Sequence, residues 1–250
     1  MQASTIEFRF RMILMTLLIV LGFWAPWIEW LHWGTRSTLW LWLAFELGGL
    51  GMTAATSIHL ATGLAIVLAA CAAAIRVWGT AYLGTATVNN AEMKAGRVMA
   101  DGPYRRVRNP LYLGSWLMFA AISVLMPPTG ALVAMILLTV FLFRLILGEE
   151  VFLTAQLGEP YLAYKRAVPR LIPSLSPRVR AGGQRPSWGR ALLGEVMPLC
   201  VLVNFAALSW QYNAVLLIRA VLISFGLSLV VRALILPRPQ AAGPADLSNG

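Results

Sequence analysis

The chain carries little charge. Of its 250 residues only 12% are Asp, Glu, Lys or Arg, 59% are hydrophobic, and the mean hydropathy is +0.72. That scarcity excludes an ordinary soluble domain, which has no means of hiding so much apolar surface. Acidic residues are scarcer still, 10 against 20 Lys and Arg, for a net charge of +10. In a soluble protein such an excess points to nucleic acid. Among apolar segments it reports instead which loops stay on the cytoplasmic side, and no nucleic-acid partner is expected. Histidine is almost missing: His32 and His59 are the two in the chain, which excludes the clustered His boxes of membrane di-iron enzymes and the His-pair zinc motif. No metal site is expected, and both histidines read as structural. Cys71 and Cys200 lie in apolar stretches, so neither a disulfide framework nor a Cys-based metal site is indicated, and both read as small buried side chains. The string Gly49-Leu50-Gly51-Met52-Thr53-Ala54 matches a dinucleotide fingerprint, but it follows a Trp-rich apolar segment and no acidic residue stands about 20 positions later. It reads as glycine-rich packing or a break.

What the chain does have is long apolar segments. A bilayer core takes about 20 apolar residues per helix, and residues 12–31, 58–78, 111–126, 130–147 and 214–235 meet that test, the third being short. A sixth, 188–208, is interrupted by Glu195 and Pro198. The turn Met126-Pro127-Pro128-Thr129-Gly130 makes the third and fourth a tight antiparallel hairpin. The first segment ends in Trp24, Trp27 and Trp30 rather than small residues, which suits a retained anchor better than a cleaved signal. The expectation is an all-α polytopic membrane protein of about six transmembrane helices, with residues 1–236 as one helical membrane domain. Within it, 76–173 forms a core, 188–236 adds a C-terminal helical hairpin, and 237–250 is expected to be a disordered tail. No internal repeat is visible.

Orientation follows from the basic residues. Six Lys and Arg fall between Arg76 and Arg108, seven between Lys165 and Arg190, and four near the ends. Six spans with both termini inside place 17 of the 20 on the cytoplasmic side. The stretch 38–57, with Trp40, Trp42, Glu46 and three glycines, suits an interfacial or re-entrant segment; were it to cross, the count would be seven and the N-terminus would lie outside. Glu46, Arg144 and Arg219 sit in apolar stretches, where charge is costly, so each should face a partner or a wet cavity. A Glu46–Arg219 pair near the outer surface is expected, with Arg144 supporting a site near Glu149.

The informative region is 100–173. It opens Asp101-Gly102-Pro103-Tyr104-Arg105-Arg106-Val107-Arg108-Asn109-Pro110-Leu111-Tyr112-Leu113-Gly114, in which Pro103 and Pro110 hold off helix until the next span begins. After the hairpin the chain returns to the same surface at Gly148-Glu149-Glu150. It continues through Gly158-Glu159-Pro160-Tyr161-Leu162-Ala163-Tyr164-Lys165-Arg166 to Val168-Pro169-Arg170-Leu171-Ile172-Pro173. In order and spacing this resembles the isoprenylcysteine carboxyl methyltransferase family over roughly 76–173: a GPYRxxRHPxYxG stretch, a hairpin, a Glu-Glu pair, and a Tyr-rich segment ending in a VPRxIP-like run.

The resemblance implies membrane helices holding S-adenosylmethionine in a cytoplasm-facing pocket beside a lipid-accessible opening. The expected location is the plasma (inner) membrane. Position by position, it makes Arg108, Asn109, Glu150 and Arg170 the expected catalytic set. Tyr104, Arg108, Asn109, Pro110, Tyr112, Gly114, Glu149, Glu150, Tyr161 and Tyr164 are the expected cofactor-binding set. Asn109 stands where the family usually has His, which keeps a donor and an acceptor but loses the titrating ring.

The chemistry fits independently of the family. Methyl transfer from a sulfonium is an in-line displacement that asks mainly for positioning and desolvation. The cofactor's ammonium needs an anion and its carboxylate a cation, roles open to Glu149 or Glu150 and to Arg108 or Arg170. The acceptor should be lipophilic: an isoprenylcysteine carboxylate or another lipid headgroup. Two other readings stay open, an NAD(P)H-dependent membrane reductase of the sterol-reductase type and a catalytically silent scaffold.

Overall fold

The computed structural model of the protein describes residues 3–84, 98 and 100–235. Every regular element among them is helical: α1 (Thr5–Arg9), α2 (Arg11–Trp24), α3 (Trp27–Trp30), α4 (Leu39–Gly49), α5 (Ala54–Leu83), α6 (Pro110–Ser123), α7 (Pro128–Leu157), α8 (Glu159–Ala167), α9 (Trp188–Gly194), α10 (Val196–Leu208) and α11 (Ala214–Ile235). The boundaries follow local chemistry. Thr38 and Thr53 cap α4 and α5 through their hydroxyls. Pro110 and Pro128 occupy first helical positions, where the missing N–H costs nothing. Between α4 and α5 the chain turns at Gly51, whose φ is +90°, so the fingerprint-like string 49–54 is indeed a break.

Among the described residues, four helical segments are long and apolar enough to cross a membrane: Arg11–Trp30, Ala54–Leu83, Pro128–Leu157 and Ala214–Leu234. The bent pair α9–α10 raises the count to five, short of the expected six. The difference lies in α6, whose 14 residues reach only about 21 Å at 1.5 Å per residue against a core of roughly 30 Å. Asn109-Pro110 delays its start and the two prolines after Met126 cut it short. The 72° bend between α9 and α10 sits where Pro198 withholds the N–H that would bond the Gly194 carbonyl. The stretch 38–57 does not supply a seventh crossing: α4 has 11 residues, about 16 Å. It starts with the Leu39 and Trp40 N–H groups on the carbonyls of Met126 (2.7 Å) and Val124 (2.8 Å) and packs on α5.

α2 and α7 run antiparallel in close contact. A Cβ on Gly130 would stand 2.0 Å from the Gly22 carbonyl oxygen, so only glycine allows the two backbones to meet there. At the other end of the same pair, Ala3 N–H donates to the Arg144 carbonyl (3.1 Å). α5 contributes an alanine stripe, Ala61, Ala65 and Ala69, to a core shared with Trp40, Ile122, Leu125, Phe205 and Leu217.

The bundle therefore has two unlike ends. One is aromatic: Trp27 donates to Thr129 (3.0 Å), and His59 lies against Trp210 and Tyr212. The other gathers Arg11, Arg76, the 101–109 loop, Glu149 and Arg232. Cys71 is exposed on the outside of the bundle and Cys200 half-buried, a correction to the expectation that both are buried: the alanines beside Cys71, not Cys71, face the core. Lys94, Arg97 and the tail 237–250 lie outside the described residues.

The lone charges pair differently from expectation. Glu46 and Arg219 are both exposed, and among the described residues neither makes an ion pair, because each projects from the outer face of its helix. Arg144 bonds both carboxylate oxygens of Glu7 at 2.9 Å, turning toward α1 rather than supporting Glu149. Arg76 and Glu195 form a buried pair instead, with Nε–Oε2 2.6 Å and Nη2–Oε1 3.0 Å.

Candidate functional site

The site is built on two loops at the basic end. Residues 101–109 and 169–184 lie side by side, joined by backbone bonds from Arg108 N–H to Pro169 (2.9 Å), Ser174 N–H to Arg106 (2.9 Å) and Arg178 N–H to Arg105 (2.8 Å). Asp101, buried, fastens the far end: its carboxylate accepts the N–H groups of Gly182 (2.8 Å), Gly183 (3.2 Å) and Gln184 (3.2 Å). Gly102 has φ +55°, and a Cβ there would lie 2.4 Å from the Tyr82 ring, so the turn leading into Tyr104 tolerates only glycine.

Against this platform stands the C-terminal part of α7, with Glu149 and Glu150 about 100° apart on the helix. Glu150 is buried and held by three cations. Arg170 grips it with two parallel bonds (Nε–Oε1 3.1 Å, Nη2–Oε2 2.9 Å), Arg108 Nη2 lies 3.2 Å from Oε1, and Lys165 Nζ 3.7 Å from Oε2. Such a forked contact is strong and directional, and it holds the Arg170 guanidinium above its already high ordinary pKa. Arg108 also donates to the Lys165 carbonyl. Glu149 points elsewhere, accepting the Tyr112 hydroxyl at 2.9 Å.

The tyrosines close the assembly. Tyr164 donates to the Tyr104 carbonyl (2.9 Å) and its ring meets that of Tyr161 at 5.9 Å. Burial is the main reason the Tyr104, Tyr161 and Tyr164 phenols are pushed above their ordinary range; they stay neutral near pH 7 and serve as donors and walls, not bases. Two buried donors of this site have no partner among the described residues, Tyr104 Oη and Arg108 Nε. Buried polar groups are rarely orphaned, so both suit a ligand that accepts hydrogen bonds.

The structure thus brings together Tyr104, Arg108, Asn109, Tyr112, Glu149, Glu150, Tyr161, Tyr164 and Arg170. Asn109 acts on the polypeptide: its Nδ2 donates to the Arg170 carbonyl (3.1 Å), bracing the residue that grips Glu150, a bond that an imidazole N–H can also make. Pro110 and Gly114 face away, toward α5. The Pro110 ring nears Gly79, and a Cβ on Gly114 would stand 2.5 Å from Arg76 Cγ; they let α6 lie close to α5. Sequence reasoning missed Lys165 as a partner of Glu150, Asp101 as the loop fastener, and the Arg76–Glu195 pair. For the last a signal existed, since each is an isolated charge in an apolar segment.

No curated protein and no solved structure matches the chain. A family model does, that of the phospholipid methyltransferases, over residues 58–159. The match takes in α5, the 101–109 loop, the α6–α7 hairpin and the Glu149-Glu150 pair. Over that segment the chain is similar to the phospholipid methyltransferases, the integral membrane methyltransferase family related to the isoprenylcysteine carboxyl methyltransferases.

Proposed function

We propose that the chain transfers a methyl group from S-adenosylmethionine to a lipid acceptor at the basic end of its bundle, and that this end faces the cytoplasm from the plasma membrane. The observation that carries the reading is the pairing of unlike polar groups around one site. The Glu149 carboxylate offers a place for an ammonium, while the orphaned Arg108 Nε and Tyr104 Oη offer donors to a carboxylate or an adenine. A free amino acid end carries both charges, and the site matches both. Of the two glutamates, Glu149 is the one for the ammonium, because Glu150 is already saturated by Arg108, Lys165 and Arg170.

When bound, S-adenosylmethionine supplies an electrophilic methyl on a sulfonium centre. The chain's own contribution is to orient both reactants and keep water out. Its neutral tyrosines take no proton, so a carboxylate acceptor, which needs no base, suits the site directly. An amine or hydroxyl acceptor would pass its proton to a glutamate or to water. The reductase alternative asks for a polyphosphate subsite, and the half-buried Glu149 carboxylate is a poor neighbour for one.

Glu149→Gln is expected to weaken S-adenosylmethionine binding by about 1.5–3 kcal/mol, the range for a hydrogen bond to a charged group, measured by equilibrium dialysis on detergent-purified protein. An unchanged dissociation constant, or tight NADPH binding in its place, overturns the assignment. Incubating labelled cofactor with native membranes then identifies the acceptor: label should enter base-labile esters or stable lipid methyl groups, and label confined to water-soluble products contradicts a lipid substrate.

A further inference from the structure

Beside the site, on the inner face of the same end, lies a cavity of about 470 Å³ between α2, α6, α10 and α11. Of the five helices that line it, with α5 contributing Arg76, three lie outside the segment that matches the methyltransferase family. Its composition changes along the bundle axis. One end holds Arg76, Ser115, Ser228 and Arg232; seven residues deeper, about 10 Å at 1.5 Å per residue, it is closed by Ile19, Ile122 and Phe225. Its rim between α2 and α11 is formed by Ile13, Leu17 and Leu229, side chains exposed on the outside of the bundle, where lipid chains would meet them. A space apolar in depth, polar at one end and open sideways to the bilayer suits an amphiphile lying along the bundle.

The charges decide which amphiphile. Arg76 is spent on Glu195, Ser115 and the Leu111 carbonyl, so that pair contributes no net charge. Arg232 is different. Its Nε is buried and has no partner among the described residues, and the fields that reach it come from Arg76, Glu195 and Arg11. With Arg76 and Glu195 cancelling, the polar end is left positive. A half-buried cation and an orphaned, buried N–H are costly unless an anion meets them.

We propose that this cavity holds the apolar chain of an anionic lipid, and that Arg232 binds the lipid's phosphate or carboxylate and so selects the acceptor presented to the methyl-transfer site. The acceptor role rests on the function proposed above; the binding of an anionic amphiphile does not. Arg232 thereby gives the C-terminal hairpin a task that the family-matched segment does not cover.

The test measures binding of hexadecyl phosphate, hexadecanol and inorganic phosphate to the full chain in a neutral detergent, by shifts in thermal unfolding, with S-adenosylmethionine binding recorded alongside. Wild type should prefer hexadecyl phosphate to hexadecanol and to inorganic phosphate by tenfold or more. Arg232→Gln should erase the preference over hexadecanol, Arg232→Lys should retain part of it, and Arg219→Gln, on the exposed face of the same helix, should leave it intact. Should Arg232→Gln fail to fold, Leu229→Trp, which intrudes from the rim without touching a charge, should weaken hexadecyl phosphate and hexadecanol alike. Equal binding of hexadecyl phosphate by wild type and Arg232→Gln overturns the proposal. So does inorganic phosphate binding as tightly as hexadecyl phosphate, which would mark an ion site with no lipid chain. Loss of S-adenosylmethionine binding in wild type would refute the methyl-transfer reading instead, with the Arg232 results standing or falling by themselves.

Discussion

At the scale of single residues, the molecule shows how isolated charges survive among apolar helices. Glu195 is fully buried, yet Arg76 and the Thr80 hydroxyl (2.5 Å) satisfy its carboxylate. Removing one partner of such a pair strands the other: Glu195→Ala should cost about 3–5 kcal/mol, read from unfolding in detergent, and the double variant Arg76→Met with Glu195→Leu should recover most of that loss. Glu7 behaves differently because it lies at the surface. The Arg144 guanidinium, through its hydrogen bonds, is the main cause holding the Glu7 carboxyl below its ordinary value of 4.5. A carboxyl depressed by folding contributes stability above its unfolded pKa and loses it as pH falls through the lower folded one. The attachment of α1 to α7 should therefore be complete above about pH 5 and weaken in more acidic buffer. Thermal unfolding between pH 6 and pH 3 checks this: Glu7→Gln should be less stable than wild type at pH 6 and level with it at the acid end.

At the scale of elements, the α6–α7 hairpin and the paired loops act as one frame. The hairpin turn was legible, since the double proline after Met126 admits no continuous helix; the extent of α7 was not. Expected to stop near residue 147, it runs on to Leu157, placing Glu149 and Glu150 within a continuous helix. The partner loop has no periodic pattern, and its order comes from Asp101 and from backbone pairing with residues 105–108. Asp101→Ala removes three bonds to a charged acceptor. It should make the 178–187 stretch markedly more sensitive to protease while leaving the transmembrane helices folded, with limited proteolysis and circular dichroism as the readouts. Equal cleavage of variant and wild type would show that the backbone pairing alone suffices.

At the scale of the whole molecule, α2, α5, α7 and α11 run between the aromatic end and the basic end, the short α6 with the 124–127 turn returns the chain to α7, and both Arg11 and Arg232 stand at the basic end. Reporter fusions at the two termini should then report the same side, the cytoplasm if the positive-inside bias governs insertion; opposite sides would mean that α4 or α6 is threaded differently. Membrane class, helical architecture, the hairpin and the ordered 101–173 motif could be read from residues alone. Hydrophobic length, proline position and motif spacing act locally along the chain and need no knowledge of neighbours. The partners could not. Arg144 going to Glu7, Arg76 to Glu195, Asn109 to the Arg170 carbonyl, and the cavity that leaves Arg232 Nε without a partner among the described residues all depend on which helix faces which. Spans of similar apolarity can be packed in many ways, and the few charges they carry take their partners only once one packing is chosen.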